Sequence, residues 1–228
     1  MATEKPMGMR VGESVFCAGY LAFTLVAGLV FVAHGETDAT GFARTCAVMT
    51  FLLGAGDAFH LVPRMLINVR GQARNVRQRQ RRNFWLGLGN LVSSITMTVF
   101  YVLLFDAMRC MPALPVPPAH AGMMRVVLIV LAVVRVALCL LPQNRWFDGG
   151  DQRWGIYRNV PFVLMGMLTI YYLVAWYGAG LMAALVLMSF VCYLGVVLFA
   201  RRRPAMGMLM IPKTICYIWL VALLLAAL

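Results

Sequence analysis

Charge is scarce in this chain, and acidic charge is the scarcer kind. Only 12% of the 228 residues are Asp, Glu, Lys or Arg, and eight of them are acidic, against 62% from the AVILMFWYC set. Soluble domains keep roughly a quarter of their residues charged, so with mean hydropathy at +0.82 a water-soluble domain is excluded. Histidine is nearly absent as well: His34, His60 and His120 are the whole set. The six cysteines form no CxxC pair and no Cys/His cluster, so neither a structural zinc nor any other metal or cofactor is expected.

What the chain has is apolar runs. Windows at 15–33, 42–62, 84–105, 123–141, 160–177, 181–200 and 206–228 are each long enough to cross a hydrocarbon core of about 30 Å. None alternates with the period of an outer-membrane strand. The expected fold is all-α, an integral membrane bundle of seven transmembrane helices forming a single domain over 1–228. The first window reads as a retained helix and not a secretory signal. Its apolar core is long, Glu13 stands just before it, and no small-x-small cleavage pattern precedes His34.

Short loops set orientation through their Lys and Arg. With the loop between the second and third windows placed in the cytoplasm, fifteen basic residues fall on that side and three, Arg44, Arg109 and Arg125, on the other. Arg135 and Lys213 lie inside spans. The split puts the N-terminus in the cytoplasm and the C-terminus outside, and the expected location is a bacterial cytoplasmic membrane. It also accounts for the net charge of +12 without a nucleic acid, which is not expected as a partner. The densest basic run, Arg70, Arg74, Arg77, Arg79, Arg81 and Arg82, has no aromatic before Phe84 and Trp85, so it lacks the stacking residues of a single-strand binder. Anionic lipid headgroups are its expected partners.

The other loops are short. Pro112, Pro115, Pro117 and Pro118 predict a stiff, extended outer segment. Trp146, Trp154 and Tyr157 surround the turn residues 148–151 and read as an interfacial belt. Cys46 and Cys110 both fall near the outer face, where an oxidising environment would allow them to pair.

An ionisable residue inside a span costs a few kcal/mol on insertion scales and requires a reason. Four are present: Asp57, His60, Arg135 and Lys213. Asp57, His60 and Arg64 share a helical stripe by their spacing. Measured from the arginines at the inner boundary, Asp57 lies ~10 Å deep, Asn90 ~12 Å, and Arg135 and Lys213 ~15 Å. Ser93 and Ser94 extend the polar face begun by Asn90. Asn159 is placed to cap the fifth span and aim its positive end into the same region. Pro212, beside Lys213, predicts a kink within the seventh span. Asp57 is an expected partner for Lys213 or Arg135. Two cations against one carboxylate leave a positive surplus, which an anion would complete.

Asp57, His60, Asn90, Arg135, Asn159 and Lys213 are therefore the expected substrate-binding residues. The expected function is binding or transport of a small anionic solute or lipid headgroup in the cytoplasmic half. One alternative is a membrane-embedded lipid-modifying or hydrolytic enzyme using Asp57 and His60. The stretch Gly54-Ala55-Gly56-Asp57-Ala58-Phe59-His60 resembles, over one or two turns, the seven-helix metal-dependent hydrolases that include alkaline ceramidases and adiponectin-receptor-like proteins. The resemblance implies a serine before the histidine and two histidines in the last span; here Asp57 stands near the serine's place and residues 206–228 contain no histidine. A retinal Schiff base on Lys213 with Asp57 as counter-ion is a third reading, and a non-catalytic scaffold docking through the arginine run a fourth.

Overall fold

The structure, a computed structural model, describes residues 7–70, 75–111, 119–199 and 203–228. Regular structure among these residues is entirely helical: α1 (Met7–Gly35), α2 (Phe42–Arg70), α3 (Val76–Cys110), α4 (Ala121–Leu140), α5 (Gln152–Tyr157), α6 (Asn159–Tyr177), α7 (Gly180–Phe199) and α8 (Met210–Leu225). Short 3-10 turns occupy Pro142–Asn144, Trp146–Asp148 and Pro204–Leu209. Seven segments are long and apolar enough to cross a membrane, with α5 and α6 counting as one, Gln152–Trp176, and α8 with its preceding turn as another, Ala205–Leu225. The four outer-loop prolines lie outside the described residues, as do Lys5, Arg74, Arg201, Arg202 and the Arg70 side chain.

Apart from α4 and the short α5, each helix packs on the next in chain order. α2 lies along both α1 and α3, α4 bridges α3 and α6, α7 packs on α6 and α8, and α8 returns to α1 to close a ring. α3 also reaches α6 across the middle. The helices outrun the apolar windows where their polar ends still favour helix. Residues 76–83 of α3 are rich in Arg and Gln, good helix formers, so α3 gains two turns ahead of its apolar run.

Close approach of α2 and α3 is written in glycine. A Cβ on Gly89 would lie 2.3 Å from the Phe59 carbonyl oxygen, and one on Gly56 would lie 2.0 Å from Thr96 Oγ1. Pro63, four residues beyond Phe59 and inside α2, has no N–H to offer that carbonyl. The freed oxygen therefore faces the one residue type that can come so near it. Small residues at such crossings let packing hold helices together without a hydrophobic drive.

Pro212 departs from the expected kink. Pro212 is the third residue of α8, after the 3-10 turn Pro204–Leu209. First-turn N–H groups have no intrahelical partner, so Pro212 breaks no internal bond and starts α8 instead of kinking it. Pro161 marks the step from α5 to α6: it cannot bond the Tyr157 carbonyl, and the two helices part at Arg158.

Aromatic side chains fill the centre. Tyr101 meets Phe162, Phe190 and Phe100 at centroid distances of 5.2–5.4 Å, and Phe105 meets Tyr172 at 4.2 Å. Tyr101 Oη is 3.3 Å from Tyr217 Oη and 3.4 Å from Ser189 Oγ. At the end of the bundle opposite the arginine run, Arg125 forms a bidentate pair with Asp106 at 2.7 and 2.9 Å. Cys46 and Cys110 are both free thiols.

Candidate functional site

A cavity of about 510 Å³ opens among the ends of α2, α3, α4, α6, α7 and α8. It is bounded by His60 and Arg64 from α2, Asn90, Ser93 and Ser94 from α3, Arg135 from α4, Phe162 from α6, Tyr193 from α7 and Lys213 from α8. Trp146 and Arg158 come from the segment joining α4 to α6.

That segment is a fastened strap. The Asn144 amide donates to the Leu138 and Leu141 carbonyls at 2.6 and 2.9 Å, closing carbonyls that the end of α4 leaves open. Trp146 Nε1 donates to the Cys139 carbonyl at 2.8 Å. Trp146 is thus turned onto α4. Its own carbonyl is so near α3 that a Cβ at Gly87 would lie 2.3 Å away. Arg158 stacks on the Trp146 ring at 4.0 Å and donates to Asn144 Oδ1 at 2.8 Å. Asp151 accepts from the Trp154 N–H at 3.0 Å and caps α5.

Three cations on the cavity wall, Arg135, Arg158 and Lys213, make no ion pair among the described residues, and two of them are buried. Arg135 is 1% exposed, its guanidinium lies 3.3 Å from the centre of the Phe162 ring, and its Nε and Nη1 have no hydrogen-bond acceptor. Lys213 is 6% exposed, with Nζ 5.1 Å from the Tyr217 ring and 5.5 Å from Tyr193. A desolvated cation–π contact is worth about 2 kcal/mol. Burying an ion costs several kcal/mol even after relaxation, so the ring faces offset only part of it. Arg64, by contrast, is paired with Glu13 at 3.2 Å.

Four of the sequence-derived residues, His60, Asn90, Arg135 and Lys213, border this one cavity. Asp57 and Asn159 do not. Asp57 is turned toward α1 and α3, accepting from Tyr20 Oη at 2.8 Å and Ser93 Oγ at 3.1 Å. Its charge reaches Lys213 through space, yet it makes no ion pair among the described residues. Asn159 is no helix cap: it is the first residue of α6, donates to the Gly155 carbonyl at 2.7 Å and accepts from Tyr193 Oη at 2.8 Å. It braces the α5–α6 step and positions Tyr193.

Sequence reasoning did not place Arg158, Tyr193 or Tyr20 at the site, and it gave Trp146 only an interfacial role. Arg158 reads as one more loop arginine, and the aromatics carry no spacing that separates them from packing residues. Gly87 and Gly89 were the available signal, since a Gly-x-Gly pair inside an apolar helix marks a backbone approach. Among the described residues no group of three or more His, Cys, Asp or Glu is placed to hold a metal ion. Comparison of the chain with protein-family models, with curated proteins and with solved structures gives no match.

Proposed function

We propose that the chain is a polytopic membrane protein whose cavity binds a small anion, as a free solute or as a lipid headgroup, entering from the arginine-bearing end. The carrying observation is Arg135, almost wholly buried with two guanidinium nitrogens unpartnered, beside Lys213, which has no counter-ion among the described residues. An anion between them would supply the missing acceptors in a low dielectric, where such contacts are strongest.

Insertion in a bilayer is supported by the outward side chains. Leu25, Val26, Val130, Val133, Leu187 and Val191 are each more than half exposed, a surface suited to lipid. The Lys and Arg asymmetry supports a cytoplasmic N-terminus and an external C-terminus. Arg77, Arg79 and Arg81, all exposed on α3, would then meet anionic headgroups of the inner leaflet. His60 borders the cavity, but among the described residues no group of three or more His, Cys, Asp or Glu is placed to hold a metal ion there, which favours binding over metal-dependent hydrolysis.

The test is calorimetric titration of the purified full chain with inorganic phosphate, sulfate and glycerol phosphate. Arg135→Gln and Lys213→Gln should each weaken binding at least tenfold, about 1.4 kcal/mol, while circular dichroism stays native. Unchanged binding in both variants would overturn the reading. Uptake of the bound anion into proteoliposomes, lost in the same variants, would extend binding to transport.

A further inference from the structure

The cationic cavity does not end at its own wall. A second, mostly apolar crevice of about 260 Å³ runs between α1 and the start of α8, bordered by Phe16, Cys17, Leu61 and Ile211. Arg64, Gly207 and Met210 border both spaces. A charged chamber and an apolar slot thus share a boundary at the step from the 3-10 turn into α8. Gly207 has nothing within 4 Å of where a Cβ would stand, and the same holds for Gly12 on the α1 side of the crevice.

We infer that the two spaces form one site for an anionic amphiphile, with its head against Arg135 and Lys213 and its single acyl chain laid between α1 and α8. The inference rests on the anion reading above and narrows it to a class of ligand. Charge selects the head. With Arg64 satisfied by Glu13, the chamber retains Arg135, Arg158 and Lys213 against Asp151, with the Asp57 charge also acting on Lys213, and its wall is net positive. A phosphate monoester carries about −1.5 to −2 at neutral pH and three strong acceptor oxygens for the unpartnered Arg135 nitrogens; a carboxylate brings less charge and fewer acceptors. Shape selects the tail, because the apolar slot lies beside the chamber between two helices whose outer faces are themselves apolar.

Three probes separate head, tail and the combination: glycerol phosphate, lysophosphatidylcholine and lysophosphatidate, measured on the full chain by native mass spectrometry from a neutral detergent. Lysophosphatidate should bind at least tenfold more tightly than either of the others. Gly207→Leu and Gly12→Phe, which place side chains into open space, should remove that advantage, and Gly12→Phe, at a position that borders only the apolar slot, should leave glycerol phosphate binding unchanged. Lys213→Gln should weaken both phosphate-bearing probes.

The amphiphile inference falls alone if Lys213→Gln weakens glycerol phosphate but lysophosphatidate binds no better than glycerol phosphate. It also falls alone if both glycine variants leave the lysophosphatidate advantage intact. If Arg135→Gln and Lys213→Gln leave every probe unchanged, the anion reading falls with it.

Discussion

The Arg135 guanidinium lies over the Phe162 ring with its carbon 3.3 Å from the ring centre, so a buried cation is held by a π face where an acid would be expected. This pairing makes the two residues respond to substitution with opposite sign. Arg135→Met removes an uncompensated charge and should raise the stability of the ligand-free protein by about 1 kcal/mol or more. Phe162→Leu leaves the charge without its ring and should lower stability by about 2 kcal/mol. Thermal unfolding in neutral detergent measures both, and the Phe162→Leu loss should shrink when made in the Arg135→Met background.

Asp57 provides a second separation of structure from ligand binding. Its carboxylate is held by Tyr20 and Ser93, and hydrogen bonds to charged groups contribute about 1.5–3 kcal/mol. Tyr20→Phe should therefore destabilise by that amount while leaving phosphate binding in place. Asp57→Asn should tighten phosphate binding, because a negative charge that reaches Lys213 is removed. A ligand-contacting role for Asp57 would instead give weaker binding.

Two glycines on long helices should behave oppositely on mutation to alanine. Gly89→Ala forces a methyl group against the Phe59 carbonyl and should cost about 1–3 kcal/mol, as overpacking does. Gly12→Ala meets open space and should gain about 0.5–1 kcal/mol from helix propensity. Unfolding midpoints of the two variants give the comparison directly.

Acid should weaken the turn between α1 and α2. Asp38 accepts from Thr40 Oγ1 at 2.6 Å, Thr40 N at 2.9 Å and Ala43 N at 2.7 Å, and the Thr40 hydroxyl, ahead of the backbone donors, holds its carboxyl below the usual 3.8. A depressed carboxylate contributes stability that is present above its unfolded value and lost as pH falls through its folded one. The melting temperature should thus decline below about pH 4, and Asp38→Asn should flatten that part of the profile. The exposed position keeps the effect small.

Helix number and approximate position were legible because length and hydropathy are local properties. The apolar window 123–141 became Ala121–Leu140 with little change. Helix ends were less legible: α3 begins at Val76 because an arginine-rich stretch can be both polar and helical. The Pro212 kink failed because a proline's effect depends on its distance from the helix start, and that start is set by the 3-10 turn before it. Depth along a helix could be counted for Asp57, Asn90, Arg135 and Lys213. Facing could not, since it depends on which neighbours the ring places on each side. Tyr20, thirty-seven positions from Asp57, leaves no trace in the spacing that would assign it as the acid's partner.

One turn beyond the chamber, the aromatic layer of Tyr101, Phe190 and Tyr217 lies at 0–6% exposure. It makes the chamber a blind alley. On the proposed reading, a guest that arrives past the arginines would leave by the same door or slip sideways between α1 and α8. Exchange would then run between water and one monolayer, and full crossing would first require those packed rings to part.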